Sequence, residues 1–360
     1  MTQHHPRPLA PRLTLLASLL ASLACASSGP LSDMHARDGA VEMEVIPDVV
    51  LAIHGGAGTI VRENMSEEMD AHYRAALTEA LEAGYSALMG GGDALDAVEA
   101  AIRPMEDSPL FNSGRGAVLN DEGEVELDAS IMGGASGEAG AIAGARTPRH
   151  PITLARRVMT QSPHVLFAAE GADRFAENQE IETMEASWFV TPRRAKQLER
   201  MQARDREGTA DLAGQPVDEK FGTVGCVALD ADGHLAAGTS TGGMARKAFG
   251  RVGDSPLIGA GTWAADATCA VSCTGHGEFF IRLAIAHQLH ARMLHGRQPL
   301  PLAAREAVLE DLPALGGSGG CVALGADGVL VAPFTTAGMY RGWVTRDGEI
   351  TVRIHGDERR

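Results

Sequence analysis

Thr223 stands at a seam. Upstream, from about residue 178 to 222, the chain is dense in charge and shows no lasting strand pattern; downstream, "TVGCVALD" reads as a β-strand. A threonine at a chain N-terminus carries a nucleophilic hydroxyl together with its own base. A free α-amine, with a pKa of about 7.7–8.0, accepts the hydroxyl proton at neutral pH. Within the intact chain that amine is locked in a peptide bond, so the chemistry requires cleavage between Gly222 and Thr223. Gly222 suits such a site, because without a Cβ it tolerates a strained bond and leaves room for attack on its carbonyl. Taken alone, Gly-Thr reads as a strand that merely begins on a β-branched residue.

Other chemistries have weaker support. Two stretches match G-x-S-x-G, centred on Ser240 and Ser318, and His54-Gly55-Gly56 has the form of an esterase oxyanion loop. A nucleophile elbow lies between a strand and a substantial helix. Ser318 precedes a strand instead, and only Met244 to Phe249 separates the glycines after Ser240, although Asp254 and His276 follow in the right order. "HGGAGTI" lacks the Lys-Ser/Thr pair of a phosphate loop. No CxxC pair, HExxH or spaced histidine cluster points to a transition metal.

The elements around these residues form an α+β pattern. "VVLAIHGGAG" is a buried strand entering a glycine loop. Helices follow over roughly 66–89 and 94–105, then a hairpin is expected around Asp121-Glu122-Gly123, with further helices near 152–160 and 165–177. "CVALDADGHLAAGTSTGG" at 226 and "CVALGADGVLVAPFTTAG" at 321 are similar to each other, each a strand, an Asp-Gly turn and a strand. A last hairpin is expected around Asp347-Gly348. Antiparallel sheets covered by helices are the architecture this implies.

Composition narrows the partners. Among 360 residues there are 43 glycines, and the net charge of −16 argues against nucleic acid or an anionic membrane and favours a small polar substrate. Residues 1–26 read as an export signal, with a basic start, an apolar run from Leu13 to Ala24 too short to be a stable anchor, and a small-residue exit. Ala24-Cys25-Ala26 allows cleavage after Ala26, and Leu23-Ala24-Cys25 allows lipidation of Cys25. A periplasmic enzyme or a lipoprotein is expected, with residues 27–47 as a linker and no transmembrane anchor in the mature chain. Cys269 and Cys273 lie about 13 Å apart along a strand, beyond bridging reach, so they read as core thiols.

Thr241, Arg251 and Asp254 follow the 226 hairpin, and Thr274-Gly275 ends the strand "ATCAVSCTG". With these in view, the chain resembles the plant-type asparaginase and isoaspartyl peptidase family of N-terminal-nucleophile hydrolases. The resemblance runs in order through "AIHGGAG", "PLFNSGRGAVLN", "ELDASIM", "GTVGCVALD", "GTSTGGM", "GRVGDSPLIGAGTWA" and "TGHGE", nearly all of residues 48–340. It implies a single-domain, four-layer αββα sandwich cut into an α-subunit (48–222, with a mobile linker over about 178–222) and a β-subunit (223–360). Two αβ units would pair.

The resemblance also assigns roles. Thr223 would be the nucleophile for its own release and for substrate, with Thr241 orienting it. Arg251 would hold the α-carboxylate and Asp254 the α-ammonium of an aspartyl group. The Thr274 hydroxyl and Gly275 N–H would form the oxyanion hole, Asn112 would support the scissile segment, and Gly277 would allow close approach. His276 would sit at the rim or serve the structure. Backbone carbonyls of Met105, Glu106, Ser108, Phe111, Ser113 and Arg115 would wrap a sodium ion, and no organic cofactor is implied. Substrates would be L-asparagine and β-aspartyl dipeptides. The glycosylasparaginase branch usually carries Asp-Thr at the seam, where Gly222-Thr223 stands here, and Phe221 departs from a frequent His. A chain of the same fold that never cleaves and serves as a binding protein is the reading of another class.

Overall fold

The computed structural model describes residues 43–206 and 222–358. The export signal with Cys25, most of the 27–47 linker, Phe221 and the last two residues lie outside that range. From the start, β1 (Val45–Ile46) and β2 (Val49–Gly58) lead into α1 (Glu67–Met89), whose N-cap Ser66 accepts from the Met69 N–H. α2 (Ala94–Asp107) opens with a reciprocal Asp93–Asp96 capping box. Then come β3 (Leu127–Gly133), β4 (Ala139–Ala145), α3 (Pro151–Gln161), β5 (Leu166–Ala168), α4 (Ala169–Asn178), α5 (Ala186–Phe189) and α6 (Pro192–Arg206). Beyond Gly222 follow β6 (Val224–Leu229), β7 (Leu235–Thr241), β8 (Thr262–Ala264), β9 (Cys269–Gly275), α7 (Gly277–Leu283), α8 (Ile285–Leu294) and α9 (Leu300–Ala304). A π-helical turn precedes β10 (Gly319–Gly325), β11 (Leu330–Val331), β12 (Gly338–Thr345) and β13 (Ile350–His355).

The strands form two sheets, ordered β13-β12-β2-β6-β7-β3-β4-β5 and β1-β11-β10-β9-β8, antiparallel except at β4–β5. Period-2 alternation then sorts side chains into separate cores. Val224, Cys226 and Ala228 of β6 pack with Leu77 and Leu81 of α1, Val98 and Ile102 of α2, and Val158 of α3. Val227 and Leu229 of the same strand turn the other way, onto Ala270, Val322 and Leu324 of the second sheet. Beyond that sheet, Cys269, Val271, Cys273 and Cys321 pack against Ile285 and Leu289 of α8 and Leu300 and Ala304 of α9. Helices, sheet, sheet and helices therefore stack in four layers. The two similar hairpins fall one in each sheet, β6–β7 facing β10–β11.

Three expectations change. The hairpin around Gly123 does not form: β3 pairs with β4 and β7, while Asn120 Oδ1 accepts from the N–H groups of Glu122 (3.1 Å) and Glu124 (2.8 Å), closing a compact loop. The segment 165–177 begins as the short edge strand β5 before becoming helix. The expected mobile linker is ordered through Arg206, because Phe189 is fully buried on Ala117, Leu119 and Val125, and Arg194 is buried with its Nε donating to the Gly116 carbonyl at 2.7 Å. Residues 207–221 lie outside the described range. All four cysteines of the body are buried and unbridged, and burial pushes the Cys269 thiol up to about 12. Among the described residues no helix is long and apolar enough to cross a membrane.

Candidate active site

Alternation places the reactive hydroxyls. Since Val224, Cys226 and Ala228 face the helices, Thr223 faces the space between the sheets. Opposite it, the β6–β7 register pairs Val224 with Ser240, which brings Thr223 beside Thr241. On β7, Thr239 and Thr241 share the inter-sheet face, whereas Ser240 faces the helices. On β9 the same rule turns Cys273 toward α8 and leaves Ser272 and Thr274 facing β6 and β7.

Thr223 is 7 % exposed, and its Oγ1 donates to Thr241 Oγ1 at 3.2 Å. Thr241 Oγ1 accepts from the Gly243 N–H at 3.0 Å and directs its own proton toward the Gly222 carbonyl, 3.5 Å away. The Thr223 carbonyl is held separately, by His54 Nδ1 at 2.9 Å. A carbonyl only accepts, so the proton sits on Nδ1 and Nε2 must accept, here from the Ser272 hydroxyl at 2.8 Å. With its proton committed, Ser272 accepts from Thr239 at 2.7 Å, which in turn accepts from Thr262 at 2.6 Å. Ser130 closes the chain, 2.8 Å from Thr262 Oγ1 and 2.6 Å from the Ser255 carbonyl. All five partners are fully buried, and burial lowers His54 to about 4, so the ring is neutral at physiological pH. Gly225 makes this possible: a Cβ there would lie 1.9 Å from Ser272 Oγ and 2.4 Å from His54 Nε2.

Asn112 braces the other side. Its Nδ2 donates to the Gly243 carbonyl at 2.8 Å, its Oδ1 accepts from the Val118 N–H at 2.8 Å, and its Cβ lies 3.1 Å from where a Gly222 Cβ would be. Both amide atoms are committed, so Asn112 fixes loops rather than moving protons.

Asp254 and Arg251 meet at Gly277. A Cβ on Gly277 would fall 2.7 Å from Asp254 Oδ1 and 2.9 Å from Arg251 Nη2. Asp254 is 5 % exposed, its Oδ2 makes no hydrogen bond among the described residues, and burial raises its carboxyl to about 7. Arg251 turns Nε and Nη2 to Glu278 Oε1, each at 3.0 Å. The Thr274 hydroxyl is likewise buried without a hydrogen bond among the described residues, and Gly275, at φ +147°, approaches the Ser318 carbonyl too closely for any side chain. An anchored threonine hydroxyl, an unspent hydroxyl donor, and a carboxylate and a guanidinium side by side suit acyl transfer on a small zwitterion.

The family model described as asparaginase matches residues 47–354. The chain belongs to the asparaginase family. That family is one of N-terminal-nucleophile hydrolases, so the enzyme class read from the motifs holds. Curated relatives of this asparaginase-family chain include the isoaspartyl peptidase of Salmonella typhimurium, 50% identical over 296 residues (82% of this chain, 94% of the relative). The Escherichia coli isoaspartyl peptidase is 50% identical over 297 residues (82% and 92%). A probable isoaspartyl peptidase/L-asparaginase of Arabidopsis thaliana is 39% identical over 323 residues (84% and 98%).

The serine alternatives do not assemble. Ser240 is fully buried, and its Oγ donates to Glu106 Oε1 at 2.6 Å beside Ser113, with no histidine bonded to it among the described residues; Ser318 precedes β10 rather than following a strand, and its carbonyl accepts from the His276 N–H at 2.9 Å. His276 lies at the rim, its Nε2 3.4 Å from Glu278 Oε2. The loop from Met105 to Arg115 wraps α2's end so tightly that a Cβ on Gly114 would be 2.3 Å from the Glu106 carbonyl oxygen, and one on Gly116 2.0 Å from that of Phe111. His54, Ser272, Thr239 and Glu278 escaped the sequence reading. Glu278 had a signal, an acidic residue in "TGHGE"; the buried hydroxyl chain had none until both sheets were in register.

Proposed function

We propose that the chain cuts itself between Gly222 and Thr223 and then hydrolyses L-asparagine and β-aspartyl dipeptides through the freed Thr223. In the first step Thr223 Oγ1 bonds to the Gly222 carbonyl carbon, the Gly222–Thr223 C–N bond breaks, and the hydroxyl proton passes to the departing amine. Water then hydrolyses the ester. Thr241 supports this step, accepting from Thr223 while its own O–H leans on the Gly222 carbonyl oxygen. In turnover the free amine takes the hydroxyl proton as Thr223 attacks the β-carbonyl, and returns it to the leaving nitrogen; water, giving its proton to the amine, then cleaves the β-aspartyl ester, and the proton returns to Thr223 Oγ1. Arg251 grips the α-carboxylate after releasing Glu278, Asp254 takes the α-ammonium, and Thr274 with Gly275 N–H receives the oxyanion.

The observation that carries this reading is the pair of unspent buried groups, Thr274 Oγ1 on the strand facing β6 and Asp254 Oδ2 beside Arg251. Intact mass after incubation at neutral pH tests it. Two fragments, one beginning Thr-Val-Gly-Cys, and turnover of asparagine or β-aspartyl dipeptides are expected; a stable single chain without turnover favours a binding protein.

A sodium ion belongs to the same proposal. The Met105 carbonyl has Pro109 four residues on, which offers no N–H, and the compressed 105–115 loop supplies oxygen donors of the kind a hard cation takes. Carbonyls of Met105, Glu106, Ser108, Phe111, Ser113 and Arg115 would hold it, stiffening the loop that carries Asn112. An exported enzyme built from two paired αβ units completes the reading.

A further inference from the structure

We propose that a cavity on the Gly222 side of Thr223 receives the leaving portion of extended β-aspartyl peptides, with Arg193 binding a carboxylate carried by that portion. This inference rests on the acyl-transfer reading above. The direction of departure follows from proton balance. The bond from Thr223 Oγ1 to the β-carbon forms, the C–N bond breaks, and the leaving nitrogen takes the proton held by the Thr223 α-amine. It must therefore leave beside that amine, where Gly222 stands before scission.

A cavity of about 450 Å³ opens there, lined by Gly56, Asn112 and Gly222. Its link to the nucleophile is close, since a Cβ on Gly56 would lie 3.3 Å from the Thr223 nitrogen and 2.8 Å from Gly222 Cα. Thr223, Arg251, Asp254 and Thr274 are not among its walls, so the aspartyl part binds outside the cavity and only the leaving portion enters it, past Gly222. Ammonia needs a volume near the roughly 30 Å³ share of a water molecule, so the space is far larger than asparagine hydrolysis demands. The walls include the apolar Met65, Met69 and Leu110 and Tyr340, which stacks on Tyr73 at 4.3 Å, beside the polar Asn64 and Ser66; the second guanidinium there, Arg194, is held by the Gly116 carbonyl and Gln197.

Arg193 closes the rim. Its Nη1 donates to the Tyr73 hydroxyl at 3.0 Å, and the Tyr73 ring lies 5.7 Å from Phe111, which abuts Gly55 next to Gly56. An extended peptide advances about 3.3–3.6 Å per residue, so a leaving portion of more than one residue is what runs past Phe111 and Tyr73 toward Arg193. The substrate class is thus β-aspartyl peptides with apolar leaving residues and an acidic or free-carboxylate end.

The test uses the cleaved wild-type enzyme with β-Asp-Leu, β-Asp-Leu-Gly and the C-terminal amide of β-Asp-Leu-Gly. The free acid is expected to be cleaved with kcat/KM about fivefold above its amide, the scale of an exposed charge pair. In Arg193→Ala that preference collapses toward one, while amidation and the substitution together weaken kcat/KM no more than either alone. Arg193→Lys, which keeps the charge, retains part of the preference and guards against a variant that misfolds. Equal cleavage of acid and amide by the wild type overturns the inference, as does a tenfold or greater loss on extending β-Asp-Leu by one residue. In either case turnover of β-Asp-Leu shows that the acyl-transfer reading survives; no turnover of any β-aspartyl substrate removes both.

Discussion

Replacing Asp254 by asparagine is expected to stabilise the fold while removing a binding group. Asp254 is 5 % exposed, and its Oδ2 has no hydrogen bond among the described residues. Burial lifts the carboxyl from 3.8 to about 7, and Arg251 offsets only part of this because its guanidinium is turned to Glu278. The sign is opposite to that of an ordinary surface aspartate. Folding raises this pKa, so the native state binds the extra proton between the two values. Stability therefore falls as pH rises from about 3.8 to about 7, then levels off. At about 1.36 kcal/mol per pH unit the interval corresponds to at most about 4 kcal/mol. Asparagine fills the same volume without a charge, so it escapes this penalty. At about 2 °C per kcal/mol for a domain of this size, Asp254→Asn melts up to roughly 8 °C higher at pH 8.5 and no higher near pH 4. Both proteins should carry Thr223→Ala, which keeps the chain in one piece, and be compared by calorimetry from pH 4.5 to 8.5. A gap that is absent at pH 8.5, or that does not widen with pH, refutes the buried-charge account.

Thr274→Ala should lower kcat by about 10²–10³ with little change in KM if, as proposed, its hydroxyl serves the developing oxyanion; steady-state kinetics on asparagine decide it. Gly277→Ala should leave the melting temperature within a few degrees but raise KM at least tenfold, because the methyl sits on Asp254 and Arg251. His54→Asn retains an N–H near the position of Nδ1 and should keep cleavage within about tenfold, whereas His54→Gln, whose amide reaches the position of Nε2, should lose about a hundredfold; the reverse order, read by fragment formation over time, contradicts the tautomer assigned here. Sodium should raise the melting temperature more than equal ionic strength of tetramethylammonium, as binding to the native state alone requires.

Local chemistry was written plainly in the chain. The capped helices, the Asp-Gly turns of β6–β7 and β10–β11, and the separation of Thr241 from Ser240 onto opposite faces all follow from short-range pattern. Around Gly123 the pattern misled, because alternation on both sides of a turn looks the same whether a hairpin forms or a side chain such as Asn120 caps the loop. In α6 dense charge reads as a helix that frays, whereas a few buried groups, among them Arg194 and Met201, pin it. The His54 chain was illegible for another reason. Its members come from β2, β3, β7, β8 and β9, and no spacing in sequence encodes a meeting that depends on two sheets packing in register.

The strand order has a consequence for assembly. Strands preceding Gly222 and strands following it are interleaved in the larger sheet, so a cut there leaves the fragments sewn along β12–β2, β2–β6 and β7–β3, and again along β1–β11 in the smaller one. Each fragment owns one outer layer of helices, and the second holds the core between α8, α9 and the smaller sheet, but the larger sheet, its core against α1–α3 and the core between the sheets draw on both. The mature enzyme would be one cooperative unit made of two molecules. Its unfolding would release two chains where the precursor releases one, turning a unimolecular equilibrium into one governed by concentration. Scission would thus create the catalyst and, in the same act, make its refolding from separated chains a second-order event.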